Sequence, residues 1–175
     1  MAKTKWTIDP THSRVGFKVK HMMFTNVSGN FNDYSATIET EEDDFSNPSI
    51  VFTAAINSID TANTDRDNHL KSADFFDVEK FPNLTFKLSA FEPKGDDYEV
   101  TGDLTIKDVT KKVSFPAEFS GLMKDPWGNT KAGLNVYGKI NRKDFGLNWN
   151  AALETGGVLV GEEVKLDVEL QLLKQ

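Results

Sequence analysis

The sequence predicts an all-β domain of antiparallel strands. Apolar residues alternate with polar ones in segment after segment, the spacing of a strand with one buried face. Turn-forming residues sit between many of these segments. A single polar stretch, residues 58–83, breaks the alternation. Parallel strands are covered on both faces and read as continuous apolar runs, so alternation argues for antiparallel pairing with one face in water.

Eight segments carry the pattern. In RVGFKVKH the inward set is Val15, Phe17 and Val19; in YSATIE it is Tyr34, Ala36 and Ile38. Ile50, Phe52, Ala54 and Ile56 form the next stripe, followed by Leu84, Phe86, Leu88 and Ala90. Tyr98, Val100, Gly102, Leu104 and Ile106 come fifth, and Val113, Phe115, Ala117 and Phe119 sixth. Leu134, Val136, Gly138 and Ile140 precede the last stripe, Val164, Leu166, Val168, Leu170 and Leu172. Ser46-Asn47-Pro48, Pro93 to Asp96, Asp125 to Asn129 and Gly156-Gly157 read as turns. The acidic run at residues 39–44 reads as a solvated loop. Pro116 inside a strand points to an edge or a bulge. Gly102 and Gly138 on inward faces leave room for a bend or for a neighbour to pack close.

The excursion SIDTANTDRDNHLKSADFFDVEKFPN is too polar and irregular for a strand. Thr64 or Asp65 can cap a short helix with Asp67 in its first turn, and Ser72 can start a second turn before Phe75 and Phe76. Strands with single apolar faces have two solutions, a two-sheet sandwich or a sheet closed on itself. The excursion favours the barrel, because such a segment can cover an open end.

Composition bounds the function. At 175 residues the chain, 1–175, is one domain with a core rich in its 13 Phe. With no Cys, disulfides, thiolate metal sites and a Cys nucleophile are excluded. A net charge of −7 repels nucleic acid and anionic membranes at long range and leaves room only for a local basic patch. The start MAKTKWTIDP lacks a secretory signal, so the expectation is a cytoplasmic protein, or a periplasmic one if a leader has been removed. Two formal glycosylation sequons begin at Asn26 and Asn83 and carry little meaning without a signal. No run reaches the roughly 18 apolar residues of a membrane span.

Signatures of catalysis are sparse. The three His, at 12, 21 and 69, lack the close pairing of a zinc enzyme. Residues 65–76 begin like a calcium loop but place Leu70 where Gly is needed and Phe76 where Glu is needed. His12-Ser13 resembles part of a hydrolase triad, yet strand neighbours point to opposite faces, and no GxSxG elbow exists. Phosphate-loop and dinucleotide signatures are absent. Trp6, Trp127 and Trp149 either line a site or, as the default reading, fill the core and a loop, and Arg142 with Asp144 reads as an anion site or a turn tether.

WTIDPTHSRVGFKVKH, GNF, TDRDNHLKSADFFDVEKFPNLTF, GDLTIKDVTKKV and INRKDFGLNW follow one another in order. Together they resemble the YceI-like family of bacterial lipid-binding proteins, from Trp6 to about Leu172. The Arg66-Asp67 to Phe76 and Asn141-Arg142 to Gly146 blocks are the most specific. The resemblance implies an extended, eight-stranded, lipocalin-like antiparallel barrel with a long apolar pocket and a short helical excursion near one end. Members are associated with isoprenoid chains, polyprenyl or quinone-type, and many are periplasmic.

The expected tunnel is lined by Val15, Phe17, Val19, Phe31, Ile38, Phe52, Leu88, Leu104, Phe115, Val136 and Ile140, with Phe75 and Phe76 helping to close it. His21, Arg66, His69 and Arg142 are the candidates to hold a polar head such as a pyrophosphate or a quinone oxygen; the competing role for Arg66 and Arg142 is to pin the excursion through Asp67, Asp74 or Asp144. The expected function is binding an apolar isoprenoid-type lipid for storage, transport or sequestration, with no catalytic residue, metal or cofactor beyond that lipid. The alternatives are an enzyme acting on an isoprenoid or quinone, and a filled-barrel, stress-related interaction domain. Exposed strand surface permits a homodimer.

Overall fold

The computed structural model describes residues 2–22, 24–150 and 160–175. In chain order the strands are β1 (Lys3–Ile8), β2 (Arg14–His21), β3 (Thr25–Phe31), β4 (Tyr34–Glu41), β5 (Asp44–Ala55) and β6 (Ile59–Asp60). The helix α1 (Thr64–Lys71) follows, then β7 (Asn83–Lys94), β8 (Asp97–Ile106), β9 (Val109–Lys124), β10 (Thr130–Asn141) and β11 (Val160–Lys174). Three 3-10 turns, Pro10–His12, Ile56–Ser58 and Arg142–Phe145, interrupt or end strands.

All pairings are antiparallel, in the order β1-β4-β5-β7-β8-β9-β10-β11, and β11 pairs with β1 to close the ring. The remaining strands extend three staves of that ring. β11 pairs with β2 over Val160–Glu169 and with β1 over Leu172–Lys174, so β1 and β2 are one stave kinked at Pro10–His12. β3 and β4 together pair with that kinked stave, and β6 continues β5 beside β3. The result is an eight-stranded closed barrel, the size at which the interior can hold one small ligand.

Three inward glycines thin the wall. A Cβ at Gly138 would lie 2.2 Å from Phe115 Cδ1, one at Gly102 would lie 2.6 Å from Phe86 Cζ, and one at Gly29 would lie 2.5 Å from Phe17 Cζ. Each ring therefore rests against the neighbouring strand instead of crossing the lumen.

One end of the barrel is plugged. Trp6 is 1% exposed and packs with Ile38, Ala132 and Leu172. Its indole donates to Thr40 Oγ1 at 3.0 Å. Phe45 stands 4.9 Å from both Trp6 and Phe119, and Phe91 stacks on Tyr98 at 4.7 Å. At this end lie the hairpins β4–β5, β7–β8 and β9–β10 and both termini of the barrel sheet. The excursion, the β2–β3 hairpin and the segment after β10 lie at the other.

Several local expectations change. The helix is capped by Asn63, whose side chain accepts from Arg66 N at 3.0 Å, because Thr64 and Asp65 already belong to its first turn. Ser72 ends that helix and accepts from Phe75 N and Asp77 N, which forms the turn before Phe76. Ser46-Asn47-Pro48 lies in a bulged extension of β5, and the turn falls at Glu42-Asp43, so the acidic run is mostly hairpin strand. A bulge between Leu88 and Ala90 reverses the facing of β7, making Phe91 the buried residue where Ala90 was expected. Pro116 sits where the β9–β10 ladder, which runs to Val136 opposite Ala117, stops. Gly156-Gly157 lies outside the described residues.

Candidate functional site: an apolar cavity with one polar end

The barrel encloses a cavity of about 580 Å³, within the roughly 300–1,000 Å³ typical of small-molecule sites. Strand alternation builds its wall, since each stave sends every second side chain inward. Val15, Phe17, Val19, Phe31, Ile38, Phe52, Phe75, Phe76, Leu88, Leu104, Phe115, Val136 and Ile140 all line it. Further lining comes from Ile50, Leu84, Phe86, Val100 and Leu134, and from Val164, Leu166, Val168, Leu170 and Leu172 of β11. Those residues sit on stripes visible in the sequence. Trp149, for which core packing is the default and a site-lining role the alternative, stands half-buried at the wall.

Polar lining groups gather at the unplugged end. Lys20, Asn63 and Asp65 are exposed as well as lining, so the cavity reaches solvent between the end of β2 and the start of α1. His21, Arg66, His69 and Arg142 border the same region.

The buried Thr61 organises the excursion. Asp67 Oδ1 accepts from Thr61 N at 2.9 Å and from its hydroxyl. Arg66 donates from Nε to Thr61 Oγ1 at 2.8 Å and from Nη2 to Thr61 O at 2.6 Å. Arg66 Nη1 has no hydrogen bond among the described residues. His69 Nε2 bonds Asp74 Oδ2 at 2.9 Å, and the ring stands edge-on to Phe75 at 5.1 Å and to Trp149 at 4.7 Å. His69 thereby ties α1 to the segment after β10. The His21 ring, half-buried, makes no hydrogen bond among the described residues.

Arg142 is not available for a head group. It is 3% exposed, and its guanidinium donates to the carbonyls of Gly161 at 2.8 Å, Leu147 at 2.5 Å, Trp149 at 3.0 Å and Val160 at 3.3 Å. These carbonyls flank residues 151–159 on both sides. The tether runs to backbone oxygens; the carboxylates proposed from the sequence are not its partners. Burial pushes the Arg142 pKa down, an effect that the nearby Glu162 carboxylate opposes.

The His12-Ser13 pair is also resolved. Both residues sit at the 3-10 turn, where His12 Nδ1 bonds Asp9 Oδ2 at 2.9 Å and Ser13 Oγ accepts from Gln171 N at 2.9 Å. Among the described residues no cluster of three or more His, Cys, Asp or Glu is placed to hold a metal. No helix among them is long and apolar enough to cross a membrane.

Comparison with known proteins agrees with this geometry. A UPF0312 protein of Staphylococcus aureus is 40% identical over 169 residues, covering 96% of each chain. The Campylobacter jejuni YceI protein superposes with a TM-score of 0.73 at 33% identity, over 89% of this chain and 90% of that one. Burkholderia cenocepacia BcnA gives 0.78 at 25% identity, over 94% and 98%. A polyisoprenoid-binding domain from Saccharophagus degradans shares the fold at 0.70 and 13% identity, over 97% and 98%. The profile of the YceI-like domain matches residues 6–172, and the chain belongs to that family.

Proposed function

We propose that the cavity holds an isoprenoid-type lipid, with its apolar chain along the barrel axis toward the Trp6 plug and its polar end at the Lys20–Asp65 opening. The single observation that carries this reading is an apolar cavity of about 580 Å³ whose polar lining groups gather at one end. That polarity matches a molecule with a long tail and one small head. The name of the Saccharophagus relative, a polyisoprenoid-binding domain, is in keeping with it.

Burying a methylene contributes roughly 0.8 kcal/mol, so an isoprene unit contributes about 3 kcal/mol before ordering costs. A few units reach the roughly −8 kcal/mol of micromolar binding. Lys20, His21, Arg66 through Nη1, and His69 are the groups that would meet the head. A holding role is favoured over catalysis because Arg142, His69 and Thr61 are already bonded to protein partners. An interior of this volume also argues against the filled-barrel alternative.

Native mass spectrometry of gently purified protein, followed by organic extraction, tests the proposal. A mass excess that extracts as a polyprenyl or quinone-type lipid is the expected result. An empty protein that also ignores added polyprenyl lipids would sink it.

A further inference from the structure

At the tip of the β2–β3 hairpin, Phe24 is 85% exposed and Met22 is 43% exposed. Just below the tip, the outer wall is basic. Lys139, Lys165 and Lys18 stand directly opposite one another across β10, β11 and β2, all exposed, and Lys20 is two residues nearer the tip. Like charges directly opposite in a ladder cost stability. Two of the nearby carboxylates are engaged outside the row and one within it. Glu162 pairs with Lys143 at 2.9 Å, Asp167 with Arg14, and Glu163 reaches Lys139 at 3.9 Å. Lys18, Lys20 and Lys165 have no ion-pair partner among the described residues. In a chain of net charge −7 this is a local patch of the opposite sign.

The patch borders the opening, because Lys20 also lines the cavity beside Asn63 and Asp65. At about 3.3 Å per residue, Lys20 and Lys18 lie roughly 7 and 13 Å along the strand from Met22. Apolar groups of interfacial elements sink about 5–10 Å into the headgroup boundary. An apolar tip with a lysine tier behind it matches that profile.

We propose that this end of the barrel docks on an anionic lipid bilayer. Phe24 and Met22 enter the interface, Lys18, Lys20 and Lys165 meet the phosphates, and the cavity opening is held against the membrane. The opposite end exposes apolar residues too, Trp127 at 82%, Met123 at 63% and Leu122. There, however, Lys3, Lys94, Lys131 and Lys174 each have a carboxylate partner, leaving Lys124 beside the Trp127 turn without one among the described residues, and the aromatic plug closes the barrel. A second copy is a poorer occupant, because symmetric contact at the tip would bring two lysine rows together.

The test is co-sedimentation of the whole chain with vesicles of phosphatidylcholine alone and of phosphatidylcholine mixed with phosphatidylglycerol, at low and raised salt. Binding is expected only to the mixed vesicles and should weaken with salt. Phe24→Ser should weaken it at least tenfold. Lys18→Gln and Lys165→Gln should each weaken it about fivefold. Trp127→Ser should leave it unchanged, and circular dichroism melting checks that every variant folds. No vesicle binding, equal binding to both vesicle types, insensitivity to Phe24→Ser, or loss on Trp127→Ser would overturn the proposal. Concentration-dependent dimerisation abolished by Phe24→Ser, without vesicle binding, would also overturn it. The inference does not rest on the cargo: docking without extractable lipid sinks only the cargo reading, and extractable lipid without docking sinks only this one.

Discussion

Gly138 shows how a missing side chain can keep an interior open. The Phe115 ring occupies the space of its absent Cβ, and Phe86 and Phe17 do the same at Gly102 and Gly29. Gly138→Ala should force the Phe115 ring toward the lumen, cost about 1–3 kcal/mol by overpacking, and reduce lipid capacity in the same variant. Urea denaturation and extraction yield together check both effects; a stability change with full capacity would mean that the ring relaxed outward. Arg142 shows the opposite economy, one cation serving four carbonyls. Arg142→Met should lose about 3–5 kcal/mol, because buried acceptors are left without a donor, and Lys should rescue poorly because a point charge cannot span that fork. Arg66 makes the useful contrast. Arg66→Gln should lower lipid affinity with little change in melting if Nη1 meets the head group. A large melting loss with affinity retained in the folded fraction would assign Arg66 to the Thr61 network alone.

Elements bend in this barrel where short polar contacts take over from the ladder. The β1–β2 stave kinks because Pro10 opens a 3-10 turn that Asp9 caps, accepting from Thr11 N at 3.1 Å and from His12. An ionised carboxylate only accepts, so His12 Nδ1 carries the hydrogen. That bond is the main cause holding the Asp9 carboxyl below its ordinary range. A folded pKa below the unfolded one contributes stability above the ordinary carboxylate range and loses it as pH falls through the folded value. Asp9→Asn should therefore differ from the wild type most at neutral pH, and the two stabilities should converge in acid; a constant gap in denaturation midpoint would show that only the cap matters. Such contacts also mark where the sequence stops being legible. Alternation revealed the inward stripes of β2, β4, β5, β7 as far as Leu88, and β8 to β11, since burial of one face is written every second residue. The short strands β1, β3 and β6 were hidden, because a kinked stave has too few residues in phase. The Leu88–Ala90 bulge hid Phe91 for a related reason: one extra residue inverts every facing after it. The cavity wall was largely readable from the same stripes. The fate of Arg142 was not, because backbone carbonyls leave no mark in a sequence.

At the scale of the whole molecule, the closed wall and the space it encloses act on each other. The β1–β11 pairing removes the free edge, so the wall can stand around a space that side chains do not fill. An apolar interior left open forfeits the packing contacts of a filled core. A ligand that fills it should therefore stabilise the whole barrel by mass action. At a free concentration of 100 times Kd, binding contributes about 2.7 kcal/mol. For a domain of this size each kcal/mol raises Tm by roughly 2–4 °C, which gives a rise of about 5–10 °C. Calorimetry of delipidated protein with and without a polyprenyl alcohol should show that shift, growing with the logarithm of ligand concentration. The Gly138→Ala variant should show less of it, because its cavity is smaller while its closure is intact. A Tm rise of equal size in both proteins would show that the added methyl does not narrow the ligand's site, because the Phe115 ring has relaxed outward or the ligand lies outside the lumen.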